Sequence, residues 1–336
     1  MIAVVCFIFF VNGLSIRFGS YIRYCLSFAV PFLYMTFGFT TLGESNEQSS
    51  VIKRSLIRNL VVFGVSTFVF SIASLIYIKM NDLELMFTFR SVFDFLVLGE
   101  WQLPIGDYIW FVEEMCVALI FFLILSKTGL LRSRIVQIAL IIVTLAANVI
   151  HGEFATLFDV ESLTGTFFCQ AIPFMLIGKL IRDTEDQVYD LGPVISIVTV
   201  VIGMLSTIAE MKIANHFAHF DYRCNFVGSI VVAVAVLMLA VQIFDLGENT
   251  QFAFWAGGCA PWVFLLAHPV KVLLSDITTS VGRIFSKLES FIIFVISLIL
   301  ALILTLIINL LAPSAPVIDP ESGELLEEED ENIFTE

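Results

Sequence analysis

A small number of ionisable and amide side chains interrupt otherwise apolar segments of this chain. A charged group at the centre of a membrane helix costs about 2.5–3.5 kcal/mol on insertion scales, so each such residue is a candidate for function. Histidine and carboxylate side chains can accept a proton, whereas an asparagine can only orient a ligand through hydrogen bonds. The candidates with acid–base or polar chemistry are Asn12, Glu113, Glu114, Glu210, Arg223 and His268.

The apolar segments that carry these residues are of near membrane-spanning length. The chain is 59% hydrophobic and contains 34 Phe among 336 residues, more apolar surface than a soluble core of this size can bury. A bilayer-spanning helix needs about 20 apolar residues, and helices satisfy their own backbone groups. The sequence predicts an all-α polytopic membrane protein, a single bundle with spans at about 1–15, 25–43, 59–78, 108–126, 134–150, 163–181, 191–209, 224–244, 253–274 and 289–311.

The net charge of −14 is concentrated at the C-terminal end. Nine acidic residues and no basic residue lie in 319–336. This composition predicts a disordered acidic tail at 313–336 that follows a membrane domain at 1–312. Basic residues are sparse and form no array, which excludes nucleic acid as a partner. The six cysteines are scattered without a CxxC pair, so we expect no disulfide framework and no metal site.

The distribution of Lys and Arg predicts the orientation of the bundle. Basic residues favour the loops 44–58, 127–134 and 179–190, which would lie on one side together with both termini. We therefore expect a multi-pass protein of the cell membrane with cytoplasmic termini. On this map the candidates Asn12, Glu114 and His268 converge toward the opposite, non-cytoplasmic half, with Glu210 and Arg223 beside them. Trp110, Glu114 and Arg223 are expected to line a cavity there.

A cluster of basic residues follows the second predicted span. Lys53, Arg54 and Arg58 can anchor the topology at the lipid headgroups. They can equally bind phosphates, because the guanidinium fork matches two phosphate oxygens. Both interpretations stay open at this stage.

Four segments of the chain carry a recognisable pattern. They are PFLYMTFGF at 31–39 with KRSLIR at 53–58, Trp110 and Phe111 at a helix start, IPFMLIG at 172–178, and AGGCAPWVFLLAHP at 256–269. These four segments resemble those of the acyltransferase family 3 membrane proteins. Their order and spacing are similar to those of the family from about residue 4 to 275.

The resemblance implies an enzyme of about ten helices that moves an acyl group, usually acetyl, from cytoplasmic acetyl-CoA to a hydroxyl of a surface polysaccharide or lipid-linked glycan. Acetyl-CoA would be a co-substrate, and no bound cofactor is expected. Lys53, Arg54 and Arg58 would bind the donor. The family's first-helix Arg and His correspond to Met1 and Asn12. Because Asn12 cannot take a proton, His268 is the first candidate for the catalytic base and Glu210 the second.

Two other functions are compatible with the same pattern. A transporter or flippase for a glycan or small anion would use the same cavity without covalent chemistry, and the Asn at position 12 favours it. A non-catalytic relative could instead bind a partner through the acidic tail. The acyltransferase is the first hypothesis.

Overall fold

The computed structural model describes residues 1–12, 22, 25–43, 48–82, 103–149, 168–217, 226–243, 251–281 and 283–311. Within these ranges the chain is helical and contains no strand. The helices are α1 Ile2–Asn12, α2 Ala29–Thr41, α3 Gln48–Met80, α4 Ile109–Lys127, α5 Arg134–Val149, α6 Ala171–Asp183, α7 Glu185–Phe217, α8 Val227–Ile243, α9 Gln251–Val281 and α10 Arg283–Leu311, with a short 3₁₀ turn at Leu130–Arg132.

Each of the ten predicted segments coincides with a helix, which confirms the all-α fold. Several helices run past the predicted apolar segments. α3 begins at Gln48 although its apolar segment begins near residue 59, and α7 continues to Phe217. The backbone hydrogen bonds of a helix continue through polar residues. Hydropathy therefore locates a helix but does not fix its ends.

Among the described residues, four helical stretches are long and apolar enough to cross a membrane. They are Gln48–Met80, Ile109–Lys127, Glu185–Glu210 and Leu288–Ile307. Three shorter apolar helices accompany them, at Arg134–Val149, Val227–Ile243 and Cys259–Ser275. The protein is a helical membrane protein. That all ten helices cross the bilayer stays a prediction.

α4 is the most buried of the four candidate membrane spans. In the most apolar 18-residue stretch of α4, 67% of the residues are buried, whereas the corresponding share is 17% in α3 and α7 and 22% in α10. The exposed faces of those three outer helices are apolar, with Phe68, Val194 and Leu306 half exposed or more. Such faces suit contact with lipid, whereas the buried α4 can carry polar groups away from lipid.

The α2 and α6 helices approach each other at two glycines. A Cβ built on Gly38 would lie 2.1 Å from the carbonyl oxygen of Met175, and one on Gly178 would lie 1.9 Å from that of Met35. Small residues allow membrane helices to pack backbone against backbone. The two glycines therefore set the distance between α2 and α6.

The C-terminal end of α2, which is predicted to face the cytoplasm, is bound by side chains of α6 and α3. Arg182 Nη1 donates to the carbonyl of Phe39 at 2.8 Å, and Gln48 Nε2 donates to that of Leu42 at 2.9 Å. The last carbonyls of a helix have no partner within it. In α6 the fully buried Lys179 forms an ion pair with Asp183.

Candidate functional site

A deeply buried hydrogen bond between two polar side chains joins α2 to α4. Tyr34 Oη donates a hydrogen bond to Glu114 Oε2 at 2.6 Å, and the two residues are 0% and 1% exposed. A hydroxyl or carboxyl buried among apolar side chains needs such a partner, because desolvation is otherwise uncompensated. The predicted cavity residue Glu114 is thus inside the bundle, paired with a residue that is 80 positions away in sequence.

Aromatic rings extend from this pair across the bundle. The ring centroids of Tyr34 and Phe111 are 4.5 Å apart, and those of Phe111 and Phe264 are 4.9 Å apart. Phe7 of α1 lies 4.6 Å from Phe264 and 5.0 Å from Tyr108. These rings come from α1, α2, the start of α4, and α9. Together they fix four helices around the Tyr34–Glu114 pair.

His268 lies at the end of this aromatic cluster and faces the start of α4. Its ring centroid is 5.2 Å from that of Tyr108, edge to face. Two backbone N–H groups, those of Gly106 and Asp107, donate to its Nδ1 at 3.2 and 3.3 Å. The structure therefore brings His268 next to the residues that precede α4.

The two hydrogen bonds constrain the chemistry of His268. An Nδ1 that accepts from backbone N–H groups carries a lone pair, so in the neutral ring the proton is on Nε2. In this arrangement Nε2 is a donor, and the one basic nitrogen is occupied. The predicted role of His268 as a proton acceptor stays a prediction, and it requires that His268 give up both contacts with the chain.

The connection that His268 holds, residues 103–108, is clamped from a second side by α3. Ser74 Oγ accepts from the N–H of Ile105 and donates to its carbonyl, both at 3.1 Å. Gly106 adopts φ +103°, a conformation that favours glycine, and a Cβ there would also lie 2.9 Å from Phe70. The entry to α4 is thus defined by contacts with α3 and α9.

Glu210 forms contacts of a different kind. Its Oε1 accepts from the N–H of Gly228 at 3.0 Å and from Ser206 Oγ at 2.8 Å. Gly228 is in the first turn of α8, where backbone N–H groups lack helical partners and the helix dipole favours a negative charge. This geometry gives the predicted second candidate for the base a capping role between α7 and α8.

A pair of substitutions separates the two roles of Glu210. Glu210→Gln keeps an oxygen that can accept from Gly228, so it should retain most of the stability and, if the role is capping, the activity. Glu210→Ala removes the acceptor and should lower the free energy of unfolding by about 0.5–2 kcal/mol. Thermal unfolding in detergent measures the stability of each variant, and an acyl-transfer assay measures its activity. A Gln variant that is as stable as the native chain but inactive would instead assign Glu210 to catalysis.

The three basic residues of α3 lie on its exposed face. Lys53, Arg54 and Arg58 are exposed, and no described residue forms an ion pair or hydrogen bond with them. Arg54 and Arg58 are one turn apart and continue into the exposed apolar positions Val61 and Val65 of the same face. The geometry favours headgroup anchoring for this pair, while donor binding stays a prediction.

The structure describes only some of the remaining predicted residues. Arg223 and the acidic tail at 313–336 lie outside the described residues, as does the side chain of Asn12 at the end of α1. Trp110 is 7% exposed, and its Nε1 has no hydrogen-bond partner among the described residues. No three His, Cys, Asp or Glu side chains of the described ranges are grouped to hold a metal ion.

Two residues of this region were not predicted. Tyr34 and Ser74 supply the hydroxyls that pair with Glu114 and with the entry to α4. The available signal was a hydroxyl within an apolar helix, which must find a partner there. Among the described residues, Tyr34, Trp110, Glu114 and His268 thus lie in one region, whereas Glu210 and the basic residues of α3 lie elsewhere.

The chain matches no protein-family model, no curated protein and no solved structure.

Proposed function

We propose that this protein is a membrane O-acyltransferase. It takes an acyl group, in the first instance acetyl, from cytoplasmic acyl-CoA and transfers it to a hydroxyl of a surface polysaccharide or lipid-linked glycan. The proposal rests on the resemblance of four segments to acyltransferase family 3 proteins and on how those segments pack.

The packing of these segments is the observation that carries the proposal. The α2 segment contacts the IPFMLIG segment of α6 through Gly38 and Gly178. It also contacts α4 through Tyr34, and the residues just before α4 contact the LLAHP segment of α9 through His268. Segments far apart in sequence meet around one buried polar pair, as expected if they form one site.

The direct test is acyl transfer by the purified protein. The protein in detergent is incubated with radiolabelled acetyl-CoA and a cell-envelope glycan fraction, and label in the glycan is counted. Transfer above a heat-inactivated control supports the proposal. If the protein binds coenzyme A but transfers no label to any fraction, the acyltransferase function is wrong.

The proposed arrangement in the cell membrane has ten spans and cytoplasmic termini. It follows from the Lys and Arg bias of the loops at 44–58, 127–134 and 179–190. A cysteine introduced into the C-terminal tail of a chain whose native cysteines are replaced should resist an impermeant maleimide in intact cells. It should react once the cells are permeabilised. Labelling in intact cells would contradict this orientation.

Arg54 and Arg58 are the proposed contacts for the phosphates of the donor. If they bind coenzyme A, changing both to Gln should weaken coenzyme A affinity in a titration by about tenfold or more, because hydrogen bonds to charged groups contribute about 1.5–3 kcal/mol. The matched control changes Arg132 and Arg134, which are also exposed and on the same predicted side. Equal affinities in both double variants would reduce Arg54 and Arg58 to headgroup anchors.

Transport is the second candidate function, and the carboxylates of α4 favour it. Glu113 and Glu114 are both buried in α4, and intramembrane acids often mark ion or proton pathways. A carrier would move a glycan or small anion with the same bundle and no covalent step. Proton-driven uptake by proteoliposomes, in the absence of acyl transfer, would favour transport.

A further inference from the structure

The register of α4 brings three polar groups to one region of the bundle. Trp110 and Glu114 are four residues apart, so their side chains leave the same face of the helix about one turn apart. Tyr34 of α2 reaches this face, since it donates to Glu114 and its ring contacts Phe111. An indole donor, a carboxylate and a phenol are therefore neighbours in the core.

The hydrogen-bonding state of Trp110 indicates a ligand. The Trp110 side chain belongs to a residue that is more than nine-tenths buried, yet its Nε1–H has no hydrogen-bond acceptor among the described residues. A buried donor without a partner is unfavourable, and a bound acceptor oxygen would remove this penalty. The neighbouring carboxylate of Glu114 can only accept hydrogen bonds. A ligand hydroxyl fits both side chains, because its oxygen accepts from the indole N–H of Trp110 and its proton is donated to Glu114.

We propose that Trp110, Tyr34 and Glu114 form the binding site for the acceptor hydroxyl, with Glu114 as the proton acceptor. This inference rests on the proposed acyltransferase function and deepens it. Trp110 Nε1–H donates to the hydroxyl oxygen, and the hydroxyl donates to Glu114. Tyr34 is a positioning residue that holds the carboxylate through its 2.6 Å hydrogen bond. His268 then positions the entry to α4 and does not exchange a proton with the substrate.

The chemical step balances without a further reactant. The hydroxyl oxygen forms a bond to the thioester carbonyl carbon as its proton passes to Glu114. The C–S bond breaks, and the electron pair leaves on the sulfur of coenzyme A. Glu114 then gives the proton that it received from the hydroxyl to this thiolate, so coenzyme A leaves as the thiol and the carboxylate is restored. No oxidation or reduction occurs.

The test uses the full-length protein, radiolabelled acetyl-CoA and the glycan fraction at several concentrations. Glu114→Gln should lower the maximal transfer rate by about 10²–10⁴-fold, the usual contribution of general base catalysis. Trp110→Phe should raise the KM for the glycan by about 5–15-fold while the maximal rate changes little, as expected from the loss of one hydrogen bond. Tyr34→Phe should lower the rate and shift its pH profile. Coenzyme A affinity should be unchanged in all three.

Glu113→Gln is the matched control, because this neighbouring carboxyl is also buried but does not accept the hydrogen bond of Tyr34. It should transfer within about twofold of the native rate. Equal losses in Glu113→Gln and Glu114→Gln, or full activity in Glu114→Gln, would overturn the assignment. So would a Trp110→Phe variant with native KM. Absence of transfer by the native chain would overturn the proposed function instead. Thermal unfolding of each variant identifies any that fails to fold, and Glu114→Asp, which keeps a carboxylate, should then recover part of the rate.

Discussion

Replacing His268 with Asn should leave the thermal unfolding temperature in detergent close to that of the native chain, whereas replacing it with Gln should lower it clearly. The Oδ1 of Asn is as many bonds from the backbone as Nδ1 of His. It can accept from the N–H groups of Gly106 and Asp107 that now donate to Nδ1. The Gln oxygen is one bond further out, which leaves those donors without a partner, at about 1–3 kcal/mol each.

Acyl transfer by the same two variants distinguishes positioning from proton transfer. A positioning role gives substantial activity in His268→Asn and a loss in His268→Gln that follows the loss of stability. A catalytic base gives a loss of about 10²–10⁴-fold in both variants, whatever their stability, since neither amide accepts a proton. The second pattern would restore His268 as the base and contradict the role inferred for Glu114.

Gly178→Ala should be the most destabilising single-methyl change in the described chain. The new Cβ would lie 1.9 Å from the carbonyl oxygen of Met35 and 2.7 Å from its carbonyl carbon, so the α2 backbone would have to move. Overpacking usually costs about 1–3 kcal/mol, and occasionally more where the structure cannot relax. Because α2 carries Tyr34, the same movement should weaken the Tyr34–Glu114 contact and reduce activity.

Gly64→Ala is the control for the effect of alanine in a helix. No atom lies within 4 Å of a Cβ built at this position in α3. Alanine favours helix over glycine by about 1 kcal/mol, so this variant should be as stable as the native chain or slightly more stable. Unfolding curves in one detergent compare the two. Equal midpoints for both variants would show that α2 and α6 are not held at backbone contact.

Hydropathy was sufficient to locate the helices but not to assign the polar residues to roles. The ten apolar segments predicted the ten helices because apolar length is a property of contiguous sequence. Glu114 was predicted to line a cavity because it interrupts one of these apolar segments. Its partner Tyr34 is 80 residues away, and His268 accepts from a backbone 162 residues away. Contacts of that separation depend on which helices pack together, and neither hydropathy nor residue type shows which helices these are.

Glu210 shows that the residue type alone does not assign a role. A carboxyl near the end of a helix is compatible with catalysis, and the sequence offered no reason to prefer another role. The structure places the start of α8 next to it, with Gly228 N–H as the donor. The glycine at 228 could have indicated this close approach, since a Cβ there would lie 2.4 Å from the backbone nitrogen of Thr207 in α7.

The α3 helix also marks the depth at which the entry to α4 lies in the bilayer. At about 1.5 Å per residue, Arg58 and Lys79 are separated by roughly 31 Å along the axis, close to the ~30 Å thickness of the hydrocarbon layer. Ser74 is then about 7 Å inside the boundary set by Lys79. If Arg58 and Lys79 lie at the two headgroup boundaries, the backbone of Ile105, which is bonded to Ser74, lies inside the hydrocarbon layer. Irregular backbone is tolerated at that depth only where protein groups replace water, and Ser74 and His268 supply such groups to residues 105–107.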